Sequence, residues 1–282
     1  MHIHPLHWLL LLITALSGQV AAEPETVRFG VLSIAPPARI HAKWQPFTNY
    51  LSKQLGQAVT IVVPRGFGKM ETAVAANQVD VFYINSLVFY RLNQKDKAIG
   101  VAQMQNIAGK VTSRSEIFVR ADSGIESIGQ LKGKRIAFVS PMGAGGYLAP
   151  RAYLYKSGVT NSKEIFTKNL SSSIHQVLLG DVEAGTMCGV NYRLMSQKID
   201  TGELKIIGVS DEYPENLIAA RADLEPVLLS RIRDIITGMD KTPEGSEVLE
   251  QMRSMKIQRF LPHDPASAAL TGKLLEEAQL NP

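Results

Sequence analysis

Strand-like and helix-like stretches alternate along this chain, and the alternation stops near residue 110 and begins again. "VRFGVLSI" (Val27–Ile34) reads as a buried first strand. "KWQPFTNYLSKQLGQ" follows with Phe47, Tyr50, Leu51 and Leu55 at helical spacing and Gly56 at its end. "AVTIVVP" is a second strand, "RGFGK" a turn into a short helix ending near Asn77, and "VDVFYIN" (Val79–Asn85) a third strand before the helix "SLVFYRLNQK". Strands joined through helices cannot close as hairpins, so this pattern predicts a parallel α/β sheet.

The restart repeats the logic. "SEIFVRA" and "KRIAFVS" read as strands around a short helix "IESIGQLKG"; "SSSIHQVLLGD" is a helix and "VEAGTMCGV" a strand with a turn. "LKIIGVS" (Leu204–Ser210) is expected to return to the first half, and the rest of the chain is expected to be helical. The fold class is therefore α/β with two lobes. Residues 23–109 and 204–282 form lobe 1, 110–203 form an inserted lobe 2, and two chain crossings make a hinge.

Compartment is read from the N-terminus. Trp8 to Leu16 is apolar and "SGQVAA" follows, so a signal peptide with cleavage after Ala22 is expected, leaving a mature chain that starts at Glu23. That apolar run is far shorter than the ~20 residues a bilayer span needs. The expected location is the periplasm. All 30 basic and 26 acidic residues follow residue 22, so the mature chain keeps the net charge of +4. This excess is too small and too dispersed for nucleic-acid binding. Cys188 is the single cysteine, which excludes an intrachain disulfide, and its apolar setting reads as a buried thiol. His41, His175 and His263 lack metal-ligand spacing, and no GxSxG or HExxH motif occurs, so neither an enzyme nor a metal or other cofactor is expected. "RADLEPVLLSRIRDIITGM" is a basic amphipathic stretch that reads as packing against the first lobe rather than membrane binding.

"FVSPMGAGGYLAPRAYL" (Phe138–Leu154) reads as a strand end, a glycine-rich turn and a helix start, an arrangement that aims backbone N–H groups at an anion. The turn itself, Met142 to Gly146, brings no polar side chain.

Taken with this turn, "FGVLS" before "WQPFTNYLSKQLG", then "NQVDVFYINSL", "DSGIESIGQLKGKRIAFVSP", "GYLAPRAYL" and "LLGDVEAGT", in that order and spacing, resemble the PhnD-like branch of phosphate/phosphonate-type periplasmic binding proteins of ABC transporters. The resemblance spans nearly all of the mature chain. It implies a type II periplasmic binding protein, a monomer whose hinged lobes close on a ligand and present it to a membrane permease. It also implies that hydroxyls in the turn after Pro141 hold an oxyanion, and those positions are here Gly143, Ala144 and Gly145, while Gly146, Tyr147, Leu148 and Pro150 keep the frame. By the same resemblance, tyrosine positions fall near Gly66-Phe67 and on Ile84, a histidine position on Leu170, and acidic positions on Val190 and Asn216.

The shift of these positions toward apolar or neutral residues makes a largely apolar, lipid- or sterol-like ligand the first reading. Ser33, Tyr83, Asn85, Ser86, Ser172, Asn191 and Asn216 would then orient one polar end, and phosphate or simple alkylphosphonates should bind weakly. The alternative is a phosphate, phosphite or phosphonate receptor that uses the amides of the turn with Ser171 or Ser172 and Arg65 or Lys69. A receptor for a sensor kinase is a further alternative. If the turn lines the cleft, Gly145→Phe should block it with little change in stability.

Overall fold

A computed structural model describes residues 26–33, 36–65 and 68–281. The expected signal peptide and its cleavage site lie outside these residues.

The first lobe opens with β1 (Val27–Val31), α1 (Pro37–Leu55), β2 (Val59–Val62), α2 (Lys69–Ala75), β3 (Val81–Ile84), α3 (Ser86–Asn93) and β4 (Ala98–Asn106), and the short β5 (Thr112–Ser113) leads out of it. The second lobe holds β6 (Ser115–Arg120), β7 (Arg135–Phe138), α4 (Ala149–Lys156), β8 (Lys163–Phe166), α5 (Leu170–Leu178), β9 (Ala184–Cys188), α6 (Gly189–Ser196) and β10 (Leu204–Val209). The chain returns through β11 (Tyr213–Pro214), and β12 (Leu217–Arg221), α7 (Pro226–Thr237), α8 (Pro243–Met252), β13 (Ile257–Pro262) and α9 (Ala266–Glu277) follow.

Each lobe is built on one sheet, in the order β13-β4-β12-β3-β1-β2 in the first and β10-β6-β9-β7-β8 in the second. Both are mixed rather than parallel. β1 runs parallel to β2 and β3, but β12 is antiparallel to both β3 and β4, and β13 is antiparallel to β4. The C-terminal third is therefore not all helical. The return point also differs from the expectation. β10 pairs antiparallel with β6, Lys205 opposite Val119, so it belongs to the second lobe, and the crossing lies at Ser210 to Tyr213.

An aromatic cluster fixes α1 on the first sheet. The rings of Trp44 and Tyr83 lie 4.6 Å apart, those of Phe29 and Phe47 5.2 Å, and those of Phe47 and Phe260 5.9 Å. Such pairs add ~0.5–1.5 kcal/mol each beyond their buried area. The helix stops where its sequence says: Gly56 is left-handed (φ 70°), and its N–H closes on the Ser52 carbonyl. At the other end Pro37 stands in the first turn, six residues before the start read from periodicity, because those first turns are largely exposed.

α9 touches both lobes. It packs on α3, on α4 and on β11, where Leu274, Leu275 and Ala278 join Leu87, Leu148, Ala149, Ala152 and Tyr213 in one buried cluster. Among the described residues no helix is long and apolar enough to cross a membrane.

Candidate functional site

Parallel strands put their carboxyl ends on one edge of a sheet, and ligands of open α/β sheets bind in the crevice outside that edge. In the first lobe that edge carries Ser33 after β1 and Asn85 after β3; in the second it carries Ser140 and the glycine turn after β7, and Cys188 at the end of β9. The two edges meet. Asn85 Nδ2 donates to the Met142 carbonyl at 3.0 Å, Arg91 Nη1 donates to Met142 Sδ at 3.0 Å, and Lys256 Nζ donates to Asn191 Oδ1. Behind them stands the hinge. β5 pairs with β11, and the Glu215 carboxylate accepts from Asn106 Nδ2 at 2.9 Å and from the Ser113 hydroxyl.

Two helix starts face each other at the first of these contacts. Asn85 is extended (φ −82°, ψ 163°), and its Oδ1 accepts the Val88 amide at 3.0 Å, which caps α3. The next residue, Ser86, has a buried hydroxyl with no partner among the described residues. On the second lobe Ser140 shapes the turn: its Oγ accepts the Met142 amide at 3.2 Å and its carbonyl accepts the Gly143 amide at 3.0 Å. Ala144–Leu148 then forms a single π-turn, with the Leu148 amide on the Gly143 carbonyl at 3.0 Å, and runs directly into α4. A helix start leaves its first amides without intrahelical acceptors, here those of Ala144, Gly145 and Gly146. Both starts thus present partial positive charge between the lobes.

The small residues of the turn have a packing explanation. Ala144 is 3% exposed and lies in the buried cluster with Leu87 and Tyr213. A Cβ on Gly145 would stand 2.1 Å from Tyr213 Oη, and one on Gly146 would stand 3.1 Å from Val139 Cβ. Neither glycine is at positive φ, so close approach and not backbone strain selects glycine here. Side chains at 144 to 146 would therefore point into protein. Their lack of hydroxyls records how tightly the turn packs against the hinge and the second lobe, and is no argument for an apolar ligand. The idea that Gly145→Phe would leave stability nearly unchanged fails for the same reason.

Other sequence candidates separate in the same way. Ile84 is wholly buried in a first-lobe cluster with Phe82 and Val88, and Tyr147 is buried in the second-lobe core, where its hydroxyl donates to Glu164 at 2.9 Å. Tyr83 packs on Trp44 and donates to Met104 Sδ at 3.0 Å; burial pushes its hydroxyl pKa well up, and the Asn216 side chain partly offsets this. These three side chains are core groups. Asn85, Ser86, Met142 and Gly143 stay together where α3 meets the glycine turn, and Asn191 lies at the Lys256 contact. Ser33, Leu170, Ser172 and Val190 are half-exposed near strand ends or helix starts, and Gly66 and Phe67 lie outside the described residues. His41 and His175 are exposed, while His263 packs edge-on against Phe89 at 5.1 Å.

Tyr213, Lys256 and Arg91 escape the sequence reading, and Cys188 is placed differently from it. Tyr213 is 5% exposed, and burial pushes its hydroxyl up, reinforced by the nearby Cys188 and Glu215. Cys188 itself is half-buried beside Tyr213, not sealed in a core. Lys256, left-handed at φ 67°, enters from the start of β13, and Arg91 from α3. None belongs to a local motif; the fold alone assembles them.

Comparison with known proteins places this geometry in a family. Residues 29–267 match the family model described as "ABC transporter, phosphonate, periplasmic substrate-binding protein". The "Phosphonates-binding periplasmic protein" of Escherichia coli (strain K12) is 26% identical over 253 residues, 86% of this chain and 74% of that one. The "Phosphate-import protein PhnD" of Mycolicibacterium smegmatis is 26% identical over 227 residues, 74% of this chain and 70% of that one. Among solved structures, PhnD1 from Prochlorococcus marinus in complex with methylphosphonate superposes with a TM-score of 0.75 at 18% identity, covering 90% of this chain and 98% of that one.

Proposed function

Because the chain belongs to the phosphonate periplasmic substrate-binding protein family of ABC transporters, we propose that it captures a small phosphorus oxyanion between its lobes and hands it to a membrane permease. The ligand class is phosphate, phosphite or a simple phosphonate. One observation carries this reading: two helix starts from opposite lobes converge at Asn85 and Met142, beside the buried hydroxyl of Ser86, which has no partner among the described residues. Convergent amides and helix dipoles favour an anion, and a hydroxyl left without a partner supplies one more donor. The named ligands of the relatives, phosphonates, phosphate and methylphosphonate, point the same way. A lipid-like ligand has no support of this kind, because Ile84, Ala144, Gly145 and Gly146, four of the positions on which it rested, face protein.

Function on this reading is capture and release. The protein acts as a monomer, exported to the periplasm by a cleaved signal peptide that ends at Ala22. Calorimetry and thermal melts with phosphate, phosphite and methylphosphonate test the ligand class. Ligand at about a hundredfold its dissociation constant adds ~2.7 kcal/mol of stability, a shift of several degrees for a chain of this size. If none of the three anions raises the melting temperature at millimolar concentration, the reading is wrong.

A further inference from the structure

Lys256 stands in an unusual position between the lobes. Lys256 sits where the chain enters β13, the edge strand of the first sheet, and its carbonyl accepts the Ile107 amide at 3.1 Å. Its side chain is largely buried and crosses to the second lobe, where Nζ reaches the amide oxygen of Asn191 near the start of α6. No carboxylate among the described residues lies within ion-pair distance of it. Glu215 is a carboxylate whose charge acts on it, and that carboxylate is already held by Asn106 and Ser113. A neutral amide oxygen satisfies one of three ammonium donors and none of the charge.

We propose that Lys256 is a ligand-binding residue that neutralises an anionic group of the captured molecule at the hinge end of the cleft. The inference rests on the reading of the cleft as an anion site, and it deepens that reading by naming a residue that supplies full charge. A buried charge left without a counter-ion is costly, and structural lysines in such places pair with an acid. Here no described residue supplies the counter-ion while the cation is fixed across the two lobes, so an anion arriving between them completes the pair only when the lobes are together. Burial lowers the Lys256 pKa; Cys188 and Glu215 oppose this, and Arg193 and Lys43 add to it. Among the described residues these four titratable groups act on Lys256. An anion beside the ammonium raises its pKa, so binding weakens as the pH rises toward the lysine range and Lys256 loses its proton.

Substitution separates charge from latch. Lys256→Met and Lys256→Gln remove the charge, and glutamine still offers Asn191 a hydrogen bond; Lys256→Arg keeps the charge. Calorimetry and melts at low salt would use phosphate, phosphite, methylphosphonate, phosphonoacetate and succinate as probes. The tightest of these in the native protein should bind roughly ten- to a hundredfold more weakly to the Met and Gln variants. The Arg variant should lie within roughly tenfold of the native protein, and the unliganded Met variant should melt no lower than it. Unchanged affinity in the Met or Gln variant overturns the proposal, as does full binding by Gln alone, which would make Lys256 a latch. Lys256-dependent binding of succinate without any phosphorus anion would uphold the proposal and overturn the ligand class. Absence of binding by all five probes would overturn both.

Discussion

Gly145→Ala adds one methyl group at the most crowded point of the turn. Its Cβ would stand 2.1 Å from Tyr213 Oη, 2.5 Å from Cζ and 3.1 Å from Cε2. Ordinary contact begins near 3.4 Å, so the ring would have to retreat by about 1.3 Å. It has little room to do so. Tyr213 is 5% exposed, packs among Leu87, Ala144 and Leu148, and lies on a strand paired with β5. Overpacking of this kind costs ~1–3 kcal/mol, and the upper half applies because the obstacle is a buried ring rather than a flexible chain end. For a chain of this size that corresponds to a melting temperature lower by roughly 4–12 °C. Gly145→Phe should cost more.

The check is a double-mutant cycle read by denaturant midpoints. Tyr213→Phe removes the atom nearest the new methyl but leaves Cζ at 2.5 Å, so relief is partial. Alone it gives up the hydroxyl's contacts with Cys188 and Ser113, which costs about 1 kcal/mol. In the Gly145→Ala background it should cost at least ~0.5 kcal/mol less. Gly145→Ala unfolding at the native midpoint, or two costs that simply add, would refute the assignment of this glycine to close approach.

Asn85 performs two tasks that two substitutions separate. Asn85→Ala loses the α3 cap and the bond to the Met142 carbonyl, ~1–2 kcal/mol together by thermal unfolding, whereas Asn85→Asp keeps the cap acceptor and loses only the donor to Met142. Asp80 ties β3 to Arg28 at 2.6 Å and to Arg221 at 3.0 Å. Burial alone would raise its carboxyl, but the bonds and charge of Arg28, with Arg221, outweigh this and hold it below the ordinary value of 3.8. Its folded-state pKa is depressed, so its contribution is complete above 3.8 and is lost as pH falls through the lower folded value; Asp80→Asn should abolish that part of the acid transition. At neutral pH the same change should cost ~2–3 kcal/mol, less than the ~3–5 kcal/mol of a fully buried pair because the Arg28 side chain is 37% exposed.

What the sequence disclosed follows from which elements advertise themselves locally. α1 was legible because Phe47, Tyr50, Leu51 and Leu55 keep one face and Gly56 ends it. β3 was legible as an apolar run between polar ends. β12 was not: Leu217 to Ala220 are all buried between β3 and β4, so nothing alternates, and two alanines carry little strand preference. β10 was recognised as a strand but assigned to the wrong lobe, since its partner β6 is set by a pairing more than eighty residues away.

The glycine turn was legible as a frame, but the reason for its small residues was not. A glycine or alanine in place of a hydroxyl looks, along the sequence, like a lost ligand contact. In space Ala144, Gly145 and Gly146 are small because Leu87, Tyr213 and Val139 already occupy the volume beside the turn. The polarity taken to be missing from this segment enters from residues scattered along the chain: Ser86, Arg91, Tyr213 and Lys256. A receptor that closes by hinge motion has to use both lobes for its contacts, because only groups contributed from each side make binding and closure the same event. Such groups lie far apart in the chain by construction. The turn that most resembles a binding motif thus fixes where the lobes meet, and Lys256 tests whether charge for the ligand comes from the other side.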